Sequence, residues 1–256
     1  MPVDPCIVRL LGDPVSRSLS PGMQNAAFAT LGIDCHYLPK EVNPAGLAGA
    51  IAELRANERI LGANVTIPHK ESVIAYLDDL DPLAVRIGAV NTISRQGLSL
   101  KGWNTDLEGF RRALGEGRGG GYRRVAIIGA GGAARAVAAA LQPAAEVWVI
   151  ARNLEQARRL CRALRIERGG PADMNQMQET VARADLVVNA TPADLPPASW
   201  LRPDQRLFDV RSRRSVEGRS MLLYQGAASF EIWTGRPAPV EVMRTALERA
   251  AEEVRA

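Results

Sequence analysis

The sequence predicts an α/β fold with two domains, the second built on a Rossmann-type parallel sheet. Short apolar runs alternate with helical stretches as far as residue 106, which indicates an α/β first domain. The apolar run VAIIG (125–129) then leads into a glycine-rich turn and an alanine-rich helix. Apolar strands separated by helices continue to residue 210, and this pattern is typical of a parallel sheet covered on both faces.

The elements of the N-terminal half follow from local signals. Residues 7–12 (IVRLLG) are predicted to form a strand. Ser20 is the predicted N-cap of a helix that has Pro21 in its first turn and ends at Gly32. A hairpin turns at residues 96–97. The other predicted elements are strands at 35–42 and 61–68 and helices at 44–57, 70–80 and 107–114.

The glycine-rich stretch GEGRGGGYRR (115–124) is the best candidate for a domain boundary. Beyond it the alternation of apolar strands and helices predicts the parallel sheet. The strands are expected at 123–129, 144–153, 185–192 and 206–210, and the helices at 133–141, 154–164, 172–184, 220–235 and 239–256.

Composition excludes several classes of protein. The 256 residues carry a formal net charge of +4, a mild bias toward small anionic ligands. There is no basic stripe with interleaved aromatic residues, which argues against nucleic-acid binding. No segment reads as a signal peptide or is apolar enough to span a membrane, so a soluble, cytoplasmic protein is expected.

The cysteines and histidines predict no metal site. Cys6, Cys35 and Cys161 are far apart and lack C-x-x-C spacing, so reduced thiols are expected and a zinc site is not. His36 and His69 have no ligand-like spacing either.

Gly129, Gly131 and Ala134 fit the pattern G-x-G-x-x-A between a strand and a helix. The first glycine permits a tight turn, the second lets the backbone approach a pyrophosphate, and the small third residue lets helix and strand pack closely. The alternative is a tight turn without a ligand. The candidate cofactor-binding residues here are Gly129, Ala130, Gly131, Gly132 and Ala133.

The end of the next strand distinguishes NADP from NAD. An NAD site requires an acidic residue there to bind the ribose hydroxyls, but this chain has Arg152 and then Asn153, with no acid before Glu155. Because an arginine suits a 2′-phosphate, NADP is favoured. A solvated charge at Arg152 is the alternative, and Arg158 and Arg159 are interpreted as exposed.

Lysine is rare in this chain, in which only Lys40, Lys70 and Lys101 occur among 32 basic residues. Lys70 ends the stretch NVTIPHK. An ammonium group can exchange a proton with a substrate, whereas a guanidinium stays charged. Lys70 is therefore a candidate proton donor, with an ordinary surface lysine as the alternative.

Small polar residues follow several strands of the N-terminal half. Each has an ordinary explanation: Ser20 caps a helix, Asn91 holds a turn, and Thr105 and Glu108 form a capping box. Their combination with a nucleotide-binding turn makes a substrate site the preferred interpretation. The candidates are Ser18, Ser20, Asn64, Thr66, Lys70, Asn91 and Asp106.

Along nearly its entire length, the sequence resembles the shikimate dehydrogenase family. The matching stretches, in the family's order, are GDPVSRSLSPGMQN, GANVTIPHK, GAVNT, GWNTDLEGF, IIGAGGAARA, NAT and MLLYQGAASFEIWTG. The resemblance implies a substrate domain of residues 1–106, completed by C-terminal helices at 219–256, and an NADP-binding domain at 107–218. It also implies an oxidoreductase of aromatic amino acid biosynthesis (the chorismate pathway), which reversibly reduces 3-dehydroshikimate to shikimate in the cleft between the domains.

The resemblance also assigns roles to residues. Lys70 and Asp106 form the catalytic pair, in which Lys70 protonates the alkoxide left by hydride transfer and Asp106 orients Lys70. His69 is expected at the edge of the site or at the surface. The substrate carboxylate is assigned to Ser18 and Ser20, with Thr66 nearby, and the ring hydroxyls to Asn64, Asn91, Asp106 and Gln225. Cofactor binding is assigned to the glycine turn with Arg152, Asn153, Thr191 and Gly218.

The chain departs from the family pattern near the expected nicotinamide site. Only VRSRRSVE separates Asp209 from Gly218, so a segment with the family's usual tyrosine, a helix and a short strand is missing. NAT is followed by Pro192 instead of Gly-Met, and Gln24 replaces a common histidine. The resemblance therefore implies substrate and NADP binding more strongly than fast turnover. Arg211, Arg213 and Arg214 would lie near the mouth of the cleft, and solvated surface is the preferred interpretation for them.

Two alternative functions stay open. One is an NAD-dependent quinate or shikimate dehydrogenase, which Arg152 disfavours. The other is a protein that binds NADP and a shikimate-like acid without catalysis. The expected partners are small hydroxy acids, with neither nucleic acid nor membrane, and the protein is expected to be a monomer or homodimer.

Overall fold

The structure is a computed structural model that describes residues 4–116, 121–143 and 145–253. It divides into two compact units, one of Met1–Thr105 with Leu222–Ala256 and the other of Asp106–Met221. The glycine-rich stretch predicted as the boundary therefore does not divide the units. The helix before it belongs to the second unit, where the ring centroids of Phe110 and Phe208 lie 4.8 Å apart.

Strands and helices alternate along most of the chain. Among the described residues, no helix is both long and apolar enough to cross a membrane. The strands are β1 (Cys6–Gly12), β2 (Cys35–Glu41), β3 (Ile60–Val65), β4 (Asp79–Leu80), β5 (Thr92–Gln96), β6 (Ser99–Trp103), β7 (Arg124–Ile128), β8 (Glu146–Ile150), β9 (Gly169–Ala172), β10 (Leu186–Asn189) and β11 (Arg206–Asp209). The α-helices are α1 (Ser20–Thr30), α2 (Leu47–Ala56), α3 (Pro82–Ile87), α4 (Asp106–Glu116), α5 (Gly132–Leu141), α6 (Leu154–Leu164), α7 (Met177–Arg183), α8 (Val216–Thr234) and α9 (Val240–Glu253).

The first unit contains a mixed sheet in the order β2-β1-β3-β5-β6-β4. Strand β1 runs parallel to β2 and β3, while β3, β5 and β6 pair antiparallel. Because side chains alternate along a strand, Val8 and Leu10 enter a core shared with α1, α8 and α9, and Leu11 enters a core shared with α2. The antiparallel pairing places Asn64 opposite Thr92, where the substrate residues were expected.

Two predicted helices differ in the structure. Leu19 rather than Ser20 is the N-cap of α1, and it makes no side-chain capping bond. The helix predicted before the hairpin is instead a 3₁₀ turn at Ser72–Tyr76 followed by β4. The Asp78 carboxylate accepts a hydrogen bond from the Leu100 N–H at 2.7 Å, so pairing with the hairpin outweighs helix propensity here.

Cys6 and Cys35 form a disulfide bond, with their Cα atoms 4.4 Å apart. The two residues face each other across the parallel pair β1–β2, although they are 29 positions apart in sequence. The expectation of reduced thiols is therefore wrong for this pair. Cys161 is a free, buried thiol, and burial raises its pKa to about 11.

The second unit contains a parallel sheet in the order β11-β10-β7-β8-β9. This order confirms the predicted Rossmann-type sheet, with its first strand, β7, at the centre. Strand β8 lies on one side of β7, and β10 and β11 lie on the other. The sequence-based prediction omits β9 because GGPA is not an apolar run; Gly169 has a φ of 100°, a conformation that favours glycine.

Gly62 in β3 is expected to tolerate no side chain. A Cβ atom there would lie 2.1 Å from the Ile93 carbonyl oxygen and 2.7 Å from Nε1 of Trp233. We expect Gly62→Ala to lower the free energy of unfolding by about 1–3 kcal/mol, the usual cost of overpacking. Urea denaturation measures this loss against Gly49→Ala, where an added Cβ meets nothing within 4 Å. Equal midpoints for the two variants would contradict the prediction.

Candidate active site

Asn64, near the end of β3, is the centre of a buried hydrogen-bond network and is itself 5% exposed. Tyr37 Oη donates to its Oδ1 at 2.8 Å. Its Nδ2 lies 3.0 Å from the Asn91 carbonyl, 3.0 Å from Thr92 Oγ1 and 3.1 Å from Ser229 Oγ. Because an amide nitrogen carries two hydrogens, Nδ2 is saturated within the protein. The carbonyl oxygen Oδ1 has a second lone pair with which to bind a ligand.

Asn91, just before β5, links the hairpin to α8. Its Nδ2 donates to Thr105 Oγ1 at 2.8 Å and to Gln225 Oε1 at 3.1 Å. Its Oδ1 accepts a hydrogen bond from the Thr105 N–H at 2.8 Å. The network thus joins residues from both ends of the chain within the first unit. It brings together three of the predicted substrate residues, Asn64, Asn91 and Gln225.

Ser229 is a member of this network that sequence analysis missed. The residue is fully buried, and its hydroxyl lies 2.8 Å from Thr92 Oγ1 and 3.2 Å from Thr105 Oγ1. It also donates to the Gln225 carbonyl at 2.9 Å. Because Ser229 follows Gln225 by one helical turn on α8, the i,i+4 spacing from a predicted ligand was the signal that could have found it.

Tyr37 was also missed, and it connects Asn64 with the predicted carboxylate-binding serines. Burial raises the pKa of its phenol, whose hydroxyl also hydrogen-bonds the Ser20 side chain. The phenol therefore stays protonated and keeps its hydrogen for donation. Ser18 Oγ in turn accepts a hydrogen bond from the Ser20 N–H at 3.2 Å. Thr66 directly follows β3 and lies two positions beyond Asn64.

The predicted catalytic residues adjoin the network through the backbone. The Lys70 carbonyl accepts a hydrogen bond from the Val90 N–H at 2.7 Å, directly before Asn91. Asp106 directly follows Thr105, begins α4 and is 4% exposed. The chain therefore attaches both residues to segments whose positions the network fixes.

His69 lies in the interior, so the expectation that it sits at the edge of the site or at the surface is wrong. The residue is 1% exposed. Its ring Nε2 hydrogen-bonds the Val42 carbonyl, and its backbone N–H donates to the Thr66 carbonyl at 2.9 Å. The first bond gives the buried imidazole a partner, and the second holds the turn before Lys70.

Removing the Ser229 hydroxyl is expected to weaken the network. In Ser229→Ala, Asn64 Nδ2 and the hydroxyls of Thr92 and Thr105 lose a buried partner, which costs about 1–3 kcal/mol of folding free energy. Urea denaturation should show this loss, whereas Ser99→Ala, exposed in β6, should stay within about 0.5 kcal/mol of the unchanged protein. Unchanged stability in Ser229→Ala would show that the network does not depend on this hydroxyl.

The glycine turn joins β7 to α5 at the place where the sequence predicts a pyrophosphate site. Gly129 has a φ of 115°, and a Cβ there would lie 3.0 Å from the Ala190 carbonyl. Gly131 is the N-cap of α5, without a side-chain capping bond, and a Cβ built on it would meet nothing within 4 Å. The first N–H groups of a helix have no intrahelical acceptor and carry the positive end of its dipole. The backbone here therefore fits a phosphate group.

Arg152 and Asn153 follow β8, on one side of this turn, and both are exposed. Asn153 Oδ1 caps α6 by accepting from the N–H groups of Glu155 and Gln156, at 3.1 Å and 3.2 Å. The cap fixes the backbone that carries Arg152. Arg158 is exposed and lies 3.8 Å from Glu155.

Thr191 lies in the loop that follows β10, on the other side of the turn, and Gly218 lies in the first turn of α8, after β11. The Thr191 hydroxyl donates to Asn189 Oδ1 at 2.8 Å. The Gly218 N–H donates to Ser215 Oγ at 2.8 Å, and a Cβ at this glycine would lie 2.7 Å from the Arg211 carbonyl carbon. The Gly218 N–H is thus engaged within the protein.

Arg211 is not a solvated surface residue, so that expectation is wrong. Its side chain is 19% exposed, and Nε lies 2.9 Å from each carboxylate oxygen of Asp209. Nη1 donates to Asp194 Oδ1 at 2.5 Å. The hydrogen bonds to Asp209 are the main cause of a raised Arg211 pKa. Arg213 and Arg214 are exposed, as expected.

Three family models match the chain in order. They describe the shikimate dehydrogenase substrate binding domain, at residues 10–93, the shikimate / quinate 5-dehydrogenase, at 118–199, and the shikimate 5′-dehydrogenase C-terminal domain, at 218–248. The shikimate dehydrogenase (NADP(+)) of Moorella thermoacetica is 46% identical over 277 residues, which cover 95% of this chain and 93% of the relative. The chain belongs to the shikimate dehydrogenase family.

Other members of the family are similar in sequence and in structure. The shikimate dehydrogenase (NADP(+)) of Methanopyrus kandleri is 41% identical over 94% of each chain. A crystal structure of the Thermus thermophilus shikimate 5-dehydrogenase, in complex with NADP(H) and shikimate, is 34% identical, with a TM-score of 0.83 over 96% of this chain and 99% of that one. These comparisons confirm the predicted family and its two-domain α/β fold.

The connection between β11 and α8, where the family resemblance predicts a missing segment, is short. The alignment of the chain with the M. thermoacetica shikimate dehydrogenase runs over 277 positions, more than the 256 residues of this chain, so it contains gaps in this chain. The family models leave residues 200–217 unmatched. In the structure, β11 leads through residues 210–215 into α8, with no helix or strand between them. The Arg211 interactions occupy this short connection.

Proposed function

We propose that this protein catalyses the NADP-dependent, reversible reduction of 3-dehydroshikimate to shikimate. The observation that carries the proposal is the buried network of Asn64, Asn91 and Gln225, with Lys70 and Asp106 attached to its segments. Amide and hydroxyl groups at fixed positions suit a small ring that carries several hydroxyls. The membership in the shikimate dehydrogenase family supports this choice of substrate.

The proposed chemistry needs a hydride, a proton and a group that stabilises the developing alkoxide. NADPH, when bound, supplies the hydride to the ketone carbon. Lys70 would donate the proton to the oxygen and stabilise its negative charge before that transfer. Asp106 would accept a hydrogen bond from a ring hydroxyl. In the reverse direction Lys70 would take the proton from the shikimate hydroxyl.

Hydroxyl side chains would bind the carboxylate end of the substrate, and amide side chains would bind its ring hydroxyls. Ser18 and Ser20 would bind the carboxylate, with Thr66 nearby. Asn91 and Gln225 would bind ring hydroxyls. The saturation of Asn64 Nδ2 within the network implies that Asn64 contacts the substrate through Oδ1, as an acceptor from a hydroxyl.

The residues of the second unit fit NADP. The backbone of residues 129–133 would bind the pyrophosphate, and Arg152 the 2′-phosphate. Asn153, Thr191 and Gly218 would complete the cofactor site. A cytoplasmic location accords with a reaction on freely diffusing cofactors and metabolites.

The test is the absorbance of NADPH formed from shikimate or quinate, with NADP or NAD as oxidant, at high enzyme concentration. A shikimate-dependent signal with NADP is expected. A preference for NAD would favour the NAD-dependent quinate or shikimate dehydrogenase. No turnover with any pair, together with calorimetric binding of NADP and shikimate by folded protein, would favour a binding protein.

A further inference from the structure

One arginine ties together two loops at the carboxyl edge of the second sheet. Strands β10 and β11 end in register, at Asn189 and Asp209. Arg211, in the loop after β11, donates from Nε to Asp209 at 2.9 Å. From Nη1 it donates to Asp194 Oδ1 at 2.5 Å and to the Pro192 carbonyl at 3.3 Å, both in the loop after β10. We call Asp194, Asp209 and Arg211 the Arg211 clamp.

The clamped loop, residues 190–194, forms a wall of the glycine turn. A Cβ on Gly129 would lie 3.1 Å from Thr191 Cγ2. The fully buried Asn189, at the end of β10, holds this loop. Its Oδ1 accepts a hydrogen bond from the Thr191 hydroxyl, and its Nδ2 donates to the Ala193 carbonyl, each at 2.8 Å. A movement of this loop would therefore change the space above the glycine turn.

The strand order determines which half of a dinucleotide this wall faces. Arg152 follows β8, on one side of β7, whereas the clamped loop follows β10, on the other side. A dinucleotide on such a sheet crosses the first strand with its pyrophosphate at the glycine turn. With the 2′-phosphate at Arg152, residues 190–194 face the nicotinamide half.

We propose that Arg211 is a positioning residue for the nicotinamide half of NADP, because it holds residues 190–194 against the end of β11. The proposal rests on the proposed NADP-dependent function. Only residues 210–215 connect β11 to α8, and the ion pair of Arg211 with Asp194 links this short connection to the loop after β10. The side chains of Arg211 and Asp209 are 19% and 12% exposed, and a two-point arginine–carboxylate pair shielded in this way is stronger than a surface pair.

The test compares calorimetric Kd values for two probes, NADP⁺ and adenosine 2′,5′-bisphosphate, which lacks the nicotinamide half. Arg211→Ala is expected to raise the Kd of NADP⁺ roughly tenfold, while that of the bisphosphate stays within about twofold of the unchanged protein. Asp194→Asn weakens only the contact to residues 190–194, and its side chain is 76% exposed, so this variant keeps the fold. Asp194→Asn should also raise the Kd of NADP⁺. Arg213→Ala, exposed two positions from Arg211, is the matched control.

The two probes separate a positioning role from a general loss of structure. An equal loss of affinity for both probes in Arg211→Ala would overturn the proposal. So would an NADP⁺ Kd equal to that of Arg213→Ala in both Arg211→Ala and Asp194→Asn. If the unchanged protein bound neither probe, the proposed NADP-dependent function would fail as well.

Discussion

Replacing Lys70 with alanine is expected to lower kcat for shikimate oxidation by about 10²–10⁴-fold, the usual contribution of a positioned acid or base. The side chain would be the proton donor and acceptor at the reacting oxygen, and Lys70 is the only lysine between residues 41 and 100. Steady-state kinetics with shikimate and NADP measures the effect. Because NADP would bind in the second unit, its Kd should not change.

Two variants show whether the loss comes from proton transfer or from charge. Lys70→Arg keeps a positive charge, but a guanidinium does not release a proton at neutral pH, so its kcat should be nearly as low as that of Lys70→Ala. Lys40→Ala removes a lysine that pairs with Glu53 and should keep kcat. Turnover at the unchanged rate in either Lys70 variant would refute the assigned mechanism.

Replacing Arg152 with alanine is expected to raise the KM for NADP by roughly 10–100-fold, because a charge-assisted hydrogen bond to phosphate contributes about 1.5–3 kcal/mol. The KM for NAD, which has no 2′-phosphate, should change by less than about twofold. Initial rates with both cofactors give the ratio of kcat/KM values. Arg183→Ala, which removes an exposed arginine paired with Glu179 at 2.7 Å, is the control.

An equal change in the KM values for NADP and NAD would show that the 2′-phosphate does not bind at Arg152. A large rise for NADP alone would confirm that the residue at the end of β8 selects the cofactor.

Much of the fold was predictable because its signals are local. The strand VAIIG, the glycine turn and the alanine-rich helix lie next to one another in the chain, and the structure has them as β7, the turn and α5. The short elements were harder to predict from the sequence. Strand β9 reads GGPA and has no apolar pattern. The helix predicted at residues 70–80 does not form over its whole length, because Asp78 instead hydrogen-bonds the backbone of Leu100 in the hairpin.

The candidate site shows the same limit in its side chains. The resemblance to a family named the residues that are expected to face a ligand, such as Asn91 and Gln225. It did not show the residues behind them, Tyr37 and Ser229, because a buried tyrosine or serine looks like ordinary core in a single sequence. Arg211 was misjudged for a related reason. Its partner Asp194 is 17 positions away, and only the register of β10 with β11 brings the two loops together.

The discontinuity of the first unit has a consequence for synthesis on the ribosome. Asn91 cannot meet Gln225 until the C-terminal segment from Leu222 onward has been translated, whereas the second unit consists of the uninterrupted stretch Asp106–Met221. Domains tend to fold as units while the chain emerges. A product of premature termination near residue 221 would therefore contain every residue of the second unit and lack Gln225 and Ser229, two members of the buried hydrogen-bond network around Asn64.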